Sequence, residues 1–188
     1  MRASSLGKAG LVAALALAAS AWVATTSPPL VPVAHAMAWT IGGEYRGSGG
    51  VRFQEGPTDC GVAVLSMILD DHVRVPRLEE DRRRVLERGY GLSLLEMREI
   101  GRRHGLRAAG WRMDFAGLME ARLPAIAHFD NHYVVVDRIL ADGTVRIRDP
   151  AVGRVELSRS SFERLWTGHL LLFAPPSPAA SSPSAARR

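Results

Sequence analysis

The spacing of apolar residues changes character once along this chain, close to Pro124. Upstream, the run Ala63, Val64, Leu65, Met67, Ile68 and Leu69 is apolar almost all round, which predicts a buried helix beginning near Cys60. Residues 78–88 follow an amphipathic helical pattern that stops at Gly89. Ser93 and Glu96 have capping-box spacing for a third helix over 94–104, closed by Gly105. A short helix over 115–122 then leads to Pro124. Downstream the pattern becomes strand-like. Residues 125–129 and 132–140 read as strands, Asp142-Gly143 as a hairpin turn, and 144–148 as the returning strand. Residues 155–157 and 170–174 are further strand candidates, on either side of a short helix over 162–166 capped by Ser160 or Ser161. Helices first and antiparallel strands second predict an α+β fold class, with N-terminal helices packed on an antiparallel sheet.

The first 36 residues stand apart from that pattern. A short basic start (Arg2, Lys8) precedes an alanine- and leucine-rich stretch from Ala9 to Ala24, and two small-x-small sites follow, Ala19-Ser20-Ala21 and Ala34-His35-Ala36. This is the layout of a secretory signal peptide, with the cut expected after Ala36. The competing reading, an uncleaved anchor, calls for a longer and less alanine-rich span. Residues 37–50 read as a mature N-terminal strand and loop, 51–174 as the folded domain, and the Pro/Ala/Ser-rich stretch 175–188 as a disordered tail. The sequence has no second long apolar run. The expected product is therefore periplasmic or secreted, with no stable membrane insertion after signal cleavage.

Charge changes the picture little. The chain of 188 residues has a formal charge of +5 and a pI of about 10.3. Its densest basic clusters, Arg82-Arg83-Arg84 and Arg102-Arg103, lie on helical patterns interspersed with Glu79, Glu80, Glu87, Glu96 and Glu99. That arrangement predicts a salt-bridged, solvated face. A nucleic-acid surface needs unbalanced positive charge with exposed aromatics, so no nucleic-acid partner is expected.

Cysteine changes it more. The chain has one, Cys60, so no internal disulfide is possible. An exported chain usually pairs its cysteines, which makes a lone thiol a candidate reactive group. A helix N-terminus directs backbone N–H groups and the positive end of the helix dipole at the sulfur, favouring the thiolate. Downstream, Asn131-His132 offers a proton acceptor at a strand start, and Asp149 on the returning strand offers a group to orient its ring. The Asp142-Gly143 turn would place residues near 133–136 opposite residues near 149–152, making His132 and Asp149 close to cross-strand neighbours. Gln54 is a neutral amide suited to donating a hydrogen bond to an oxyanion, as is the backbone N–H of Cys60. Nucleophile, base and acid in this order outline a thiol hydrolase.

These residues carry a resemblance. Gln54…Asp59-Cys60-Gly61…Leu65-x-Met67, Asn131-His132-Tyr133-Val134-Val135 and Asp149-Pro150-x-x-Gly153 resemble the peptidases that remove double-glycine leaders from bacteriocins. Gly91-Leu92-Ser93-Leu94-Leu95 through His104-Gly105-Leu106, and Phe162…Trp166-Thr167-Gly168, extend the resemblance over residues 51–173. The resemblance implies a papain-like cysteine peptidase fold, with Cys60 as nucleophile, His132 as general base and acid, Asp149 as the orienting residue and Gln54 as oxyanion donor. It implies no metal or organic cofactor and a peptide or protein substrate, with cleavage after Gly-Gly. The best-known members are fused to a transporter, whereas this chain carries a signal-like segment. A stand-alone exported member acting with a secretion-system component is therefore the expectation.

Blander readings stand beside each assignment. Cys60 could be a small buried hydrophobe, His132 a satisfied strand histidine, Asp149 the start of a turn at Pro150, and Gln54 a loop residue bonded to local backbone. Asp130 and Asp137 compete with Asp149 for the orienting role. His128 and His132 are four apart, but the strand pattern and the lack of an acid next to His128 count against a metal pair. Asp59 reads as the N-cap of the Cys60 helix, and Trp111, Tyr133 and Trp166 as core residues. A non-cleaving peptide-binding module is the alternative to an enzyme.

Overall fold

In the computed structural model, residues 29–72 and 78–174 are described, so most of the predicted signal segment and the predicted tail lie outside the described residues. Helix α1 (Val31–Thr40) opens this part of the chain and leads into strand β1 (Gly43–Tyr45). Here the structure corrects the expectation of a strand and loop over 37–50, because the helix continues to Thr40. Pro32 sits in its first turn, where a missing N–H costs nothing. Ala34 and Ala38 are fully buried, whereas Trp39 is 79% exposed. Small residues let this helix lie close to its neighbours without any strong apolar periodicity to announce it.

The predicted helices follow. Helix α2 (Cys60–His72) buries nearly every residue of its first three turns. Helix α3 (Glu79–Arg88) ends at Gly89, which takes the left-handed conformation that closes a helix. Helix α4 (Leu94–Arg103) starts with the full reciprocal capping box of Ser93 and Glu96. Strand β2 (Arg107–Arg112) carries no apolar alternation in the sequence, and it is an exposed edge. Helix α5 (Phe115–Glu120) is capped by Asp114, whose side chain accepts from the Gly117 N–H.

The second half is the sheet. Strands β3 (Ala125–Phe129), β4 (His132–Ile139), β5 (Val145–Asp149), β6 (Gly153–Leu157) and β7 (His169–Ala174) join β1 and β2 in the order β1-β6-β5-β4-β3-β7-β2. Every pairing in this seven-stranded sheet is antiparallel. Near the turn Ile139 faces Val145 and Arg138 faces Arg146, one residue from the predicted register, and a bulge between Val136 and Arg138 adds a second, so that Val136 faces Ile147 and Val135 faces Arg148. Between β6 and β7 lies helix α6 (Arg159–Leu165), capped by Ser158 and not by Ser160 or Ser161.

Alternation along the strands divides the core. Ile126, Val135, Leu171 and Phe173 face α2 and α4, while Ala127, Val134, Val136, Val155 and Leu170 face the other side. On that second face Phe162 is fully buried, with its ring 5.4 Å from Phe129 and from Trp166 and 6.2 Å from Phe115. On the first face helix α2 packs against β4 through Val135, with its N-terminal Cys60 near His132 at the start of that strand.

Candidate active site

The thiol, the imidazole and the carboxylate come from three elements that the fold brings together. Cys60 is the first residue of α2 and is 5% exposed. His132 begins β4 and Asp149 ends β5, so an antiparallel pair places them at the same end of the sheet. His132 Nε2 lies 2.9 Å from Asp149 Oδ1, and Asp149 is 4% exposed. The same carboxylate oxygen accepts the Ala151 N–H at 2.7 Å, which fixes its rotamer. The other ring nitrogen, Nδ1, is not used by Asp149, and Cys60 lies close enough to raise the pKa of the imidazole.

Electrostatics follow from this packing. Burial is the largest influence on His132 and disfavours its charged form; the Asp149 carboxylate and then Cys60 more than reverse it, and its pKa is pushed up to about 10. Tyr133, missed as a site residue because it reads as a core aromatic, lies close enough to Cys60 to sense its charge. Burial first and Cys60 second raise its phenol.

The competing acids are elsewhere. Asp137 accepts from Arg148 Nε at 2.9 Å, and Asp130 sits exposed at the β3–β4 turn with a φ of 42°. His128 Nδ1 lies 3.0 Å from Thr167 Oγ1 and is not directed at a second histidine of a metal pair. Among the described residues no group of three or more His, Cys, Asp or Glu is placed to hold a metal ion. Trp111, expected in the core, is 55% exposed on β2.

Gln54 lies on the loop before α2 and is 8% exposed. Its backbone N–H donates to the Pro150 carbonyl at 3.0 Å, tying the loop to the residue after Asp149. Its side-chain Nε2 donates to the Gly56 carbonyl at 2.9 Å. A carbonyl can only accept, so this contact fixes the amide orientation and leaves one N–H of Nε2 free. The amide oxygen is buried without a partner. Such a group costs stability, so local bonding alone does not account for Gln54.

Asp59 holds the same loop. As an N-cap its side chain would bond the first turn of α2. Its backbone carbonyl does accept the Ala63 N–H at 3.0 Å, but the carboxylate folds back to the N–H groups of Glu55 and Gly56. Arg82 of α3 reaches this fully buried carboxylate, with Nε 3.1 Å from Oδ2. The charge pattern around Arg82-Arg83-Arg84 hid this. Arg83 and Arg84 pair with Glu80 on the exposed face, as expected, while Arg82 turns inward.

The model of the Peptidase C39 family matches residues 50–178. The chain belongs to the Peptidase C39 family, whose members are cysteine peptidases. A double glycine motif protease from an AMS/PCAT transporter, solved with the leader peptide, is 32% identical; the match covers 66% of this chain and 90% of that one, with a TM-score of 0.60. The peptidase domain of Streptococcus ComA, at 23% identity and a TM-score of 0.59, covers 66% of this chain and 97% of that one and shares the fold. These domains are papain-like, and here too helices pack on an antiparallel sheet.

Among curated relatives, the lactococcin-G-processing and transport ATP-binding protein LagD of Lactococcus lactis subsp. lactis is 32% identical over 134 residues, 66% of this chain. The protein named probable functional amyloid protease FapD of Pseudomonas aeruginosa is 29% identical over 124 residues, 58% of this chain. The chain spans 18% of the length of LagD and 53% of that of FapD.

Proposed function

We propose that this C39-family chain is an exported cysteine peptidase that hydrolyses peptide bonds through Cys60. The observation that carries the reading is the His132–Asp149 contact of 2.9 Å at the N-terminus of the helix that begins with Cys60. In this mechanism Cys60 Sγ attacks the scissile carbonyl, and the C–N bond breaks as His132 delivers its proton to the leaving amine. Water then adds to the thioester, giving a proton to His132, and the acid product leaves with the thiol restored. Asp149 holds the imidazole by Nε2, keeping Nδ1 toward the sulfur. The backbone N–H of Cys60 and the free N–H of Gln54 bind the oxyanion.

The proposed substrate is a peptide with a Gly-Gly pair before the scissile bond. Identity of 32% to a double glycine motif protease supports that preference. A secreted or surface-protein substrate, handled together with a secretion system, is supported by the relative named as an amyloid protease and by the signal-like residues 1–36. Among the described residues no helix is long and apolar enough to cross a membrane. Export with a cut after Ala36 would remove Val31–Ala36 of α1, including buried Ala34, whereas a cut after Ala21 would keep the helix whole. N-terminal sequencing of chain recovered outside the cytoplasm distinguishes the two.

Incubation with a Gly-Gly-containing peptide, beside a Cys60→Ala control, tests the activity. Cleavage by the parent and none by the variant supports it. Binding without cleavage by both identifies a peptide-binding module instead.

A further inference from the structure

We propose that Arg82, on helix α3 and outside the reacting groups, is a positioning residue that sets the oxyanion donor Gln54 through Asp59. The inference rests on the reading of Gln54 as that donor.

The connection can be followed atom by atom. Arg82 Nη1 donates to Glu55 Oε1 at 2.6 Å, and Nε lies 3.1 Å from Asp59 Oδ2 without the alignment of a hydrogen bond, so the second link is a charge contact. Asp59 then accepts the Glu55 N–H at 3.0 Å and the Gly56 N–H at 2.9 Å. The Gly56 carbonyl, in the loop those bonds hold, accepts Gln54 Nε2 at 2.9 Å. Arg82 is 12% exposed and Asp59 is not exposed at all, so the pair is shielded from the solvent that weakens surface ion pairs.

Asp59 is bonded in sequence to Cys60, and Gln54 is tied through its own N–H to Pro150, the neighbour of Asp149. The loop is therefore registered against the nucleophile at one end and the orienting acid at the other. The remaining freedom is the path of residues 54–56, and Asp59 with Arg82 fixes it. A carboxylate that is buried and shared by two amides needs a countercharge to remain in place. Without it the loop relaxes, and the free N–H of Gln54 no longer points at a fixed spot. The unpartnered Gln54 oxygen fits this role, because a side chain held against its own hydrogen-bonding preference must be held by its surroundings.

Loss of a merely stabilising ion pair would lower folding stability and disturb all functions alike. A positioning residue acts through Gln54 alone. Full-length parent, Arg82→Ala, Arg82→Lys, Gln54→Ala and the double variant Gln54→Ala/Arg82→Ala are compared by three readouts. The first is kcat and KM for a Gly-Gly-containing peptide. The second is alkylation of Cys60 by iodoacetamide. The third is affinity for a Gly-Gly peptide aldehyde, whose carbonyl carbon bonds to Sγ while its oxygen takes the thiol proton and lies where the oxyanion forms. Loss of an oxyanion donor costs roughly 10²–10³ in kcat. Arg82→Ala is expected to cost roughly tenfold or more in kcat and in aldehyde affinity, with KM and alkylation unchanged. It is expected to cost nothing further once Gln54 is alanine. Arg82→Lys, which keeps the charge and the fold but not the two-point contact, is expected to fall between.

Equal losses from Arg82→Ala in the parent and Gln54→Ala backgrounds overturn the proposal, as does a Gln54→Ala chain that behaves like the parent. If Arg82→Ala does not fold, Arg82→Lys alone decides, and unchanged aldehyde affinity in it overturns the proposal. A parent that binds aldehyde at Cys60 but cleaves no peptide refutes the peptidase reading. In that case the aldehyde affinities still settle the role of Arg82.

Discussion

Replacing Asp149 by asparagine tests the charge, and not merely the shape, of the group behind His132. Asparagine keeps an oxygen for the Ala151 N–H and for His132 Nε2, so the main change is the lost negative charge. A contact of 2.9 Å places the two charge centres about 4 Å apart, where an effective dielectric of ~20 gives an attraction of ~4 kcal/mol. At 1.36 kcal/mol for each pH unit, that is about 3 units. The whole rise of His132, from 6.5 to about 10, is of the same size, with burial opposing and Cys60 adding. The imidazolium of Asp149→Asn should therefore titrate about 2–3 pH units lower than in the parent.

In a thiolate–imidazolium mechanism the alkaline limb of kcat/KM reports loss of that imidazolium. The assay is cleavage of a Gly-Gly-containing peptide from pH 5 to pH 11. The parent should lose activity near pH 10, and the variant well below pH 9. The same titration is a stability statement. Because the folded pKa is raised, the contribution of His132 is fully present below about pH 6.5 and is lost as pH rises through about 10. Urea midpoints should follow, with a shallower alkaline decline in Asp149→Asn. An alkaline limb that stays near pH 10 in the variant would refute the reasoning, since the charge held responsible would be gone.

Further outcomes follow from packing and capping. Phe162→Ala, which empties a fully buried aromatic site beneath the sheet, should cost about 3–5 kcal/mol in urea unfolding; a cost under about 1 kcal/mol would mean that face is not packed as described. Ser93→Ala breaks the capping box of α4 and should cost about 1 kcal/mol, with kcat unchanged. Gln54→Ala should lower kcat by roughly 10²–10³ while iodoacetamide still alkylates Cys60 at the parental rate; parental turnover would make Gln54 a loop residue.

Much of this molecule is legible in its sequence because the relevant signals are local. Ser93 and Glu96 mark the start of α4, Gly89 the end of α3, and Asp142-Gly143 the turn that brings β5 back beside β4. Their chemistry is independent of the rest of the fold. Features set by tertiary packing were not legible. Helix α1 is apolar on most sides and alanine-rich, so it shows no period, and only its contacts make it part of the domain. Strand β2 is an exposed edge whose residues need not alternate. The register of β4 against β5 is displaced by two residues, one from a turn in which the Leu140 N–H already bonds to the Thr144 carbonyl and one from the bulge near Asp137, which leaves no sequence mark. Arg82 looked like its neighbours Arg83 and Arg84, and only the fold turns it toward a buried carboxylate. For the site, the order Cys60, His132, Asp149 was visible, but the choice of Asp149 over Asp130 and Asp137 needed three-dimensional distances.

The central claim is that Cys60 carries the acyl group. Its most direct test is mass spectrometry of the full chain quenched in acid during turnover of a Gly-Gly-containing peptide. The account predicts a species heavier by the N-terminal acyl portion of the peptide, with the added mass on the fragment containing Cys60 and released by hydroxylamine. It also predicts neither adduct nor product with Cys60→Ala. Continued cleavage by Cys60→Ala, or an adduct on any other residue, would contradict the account.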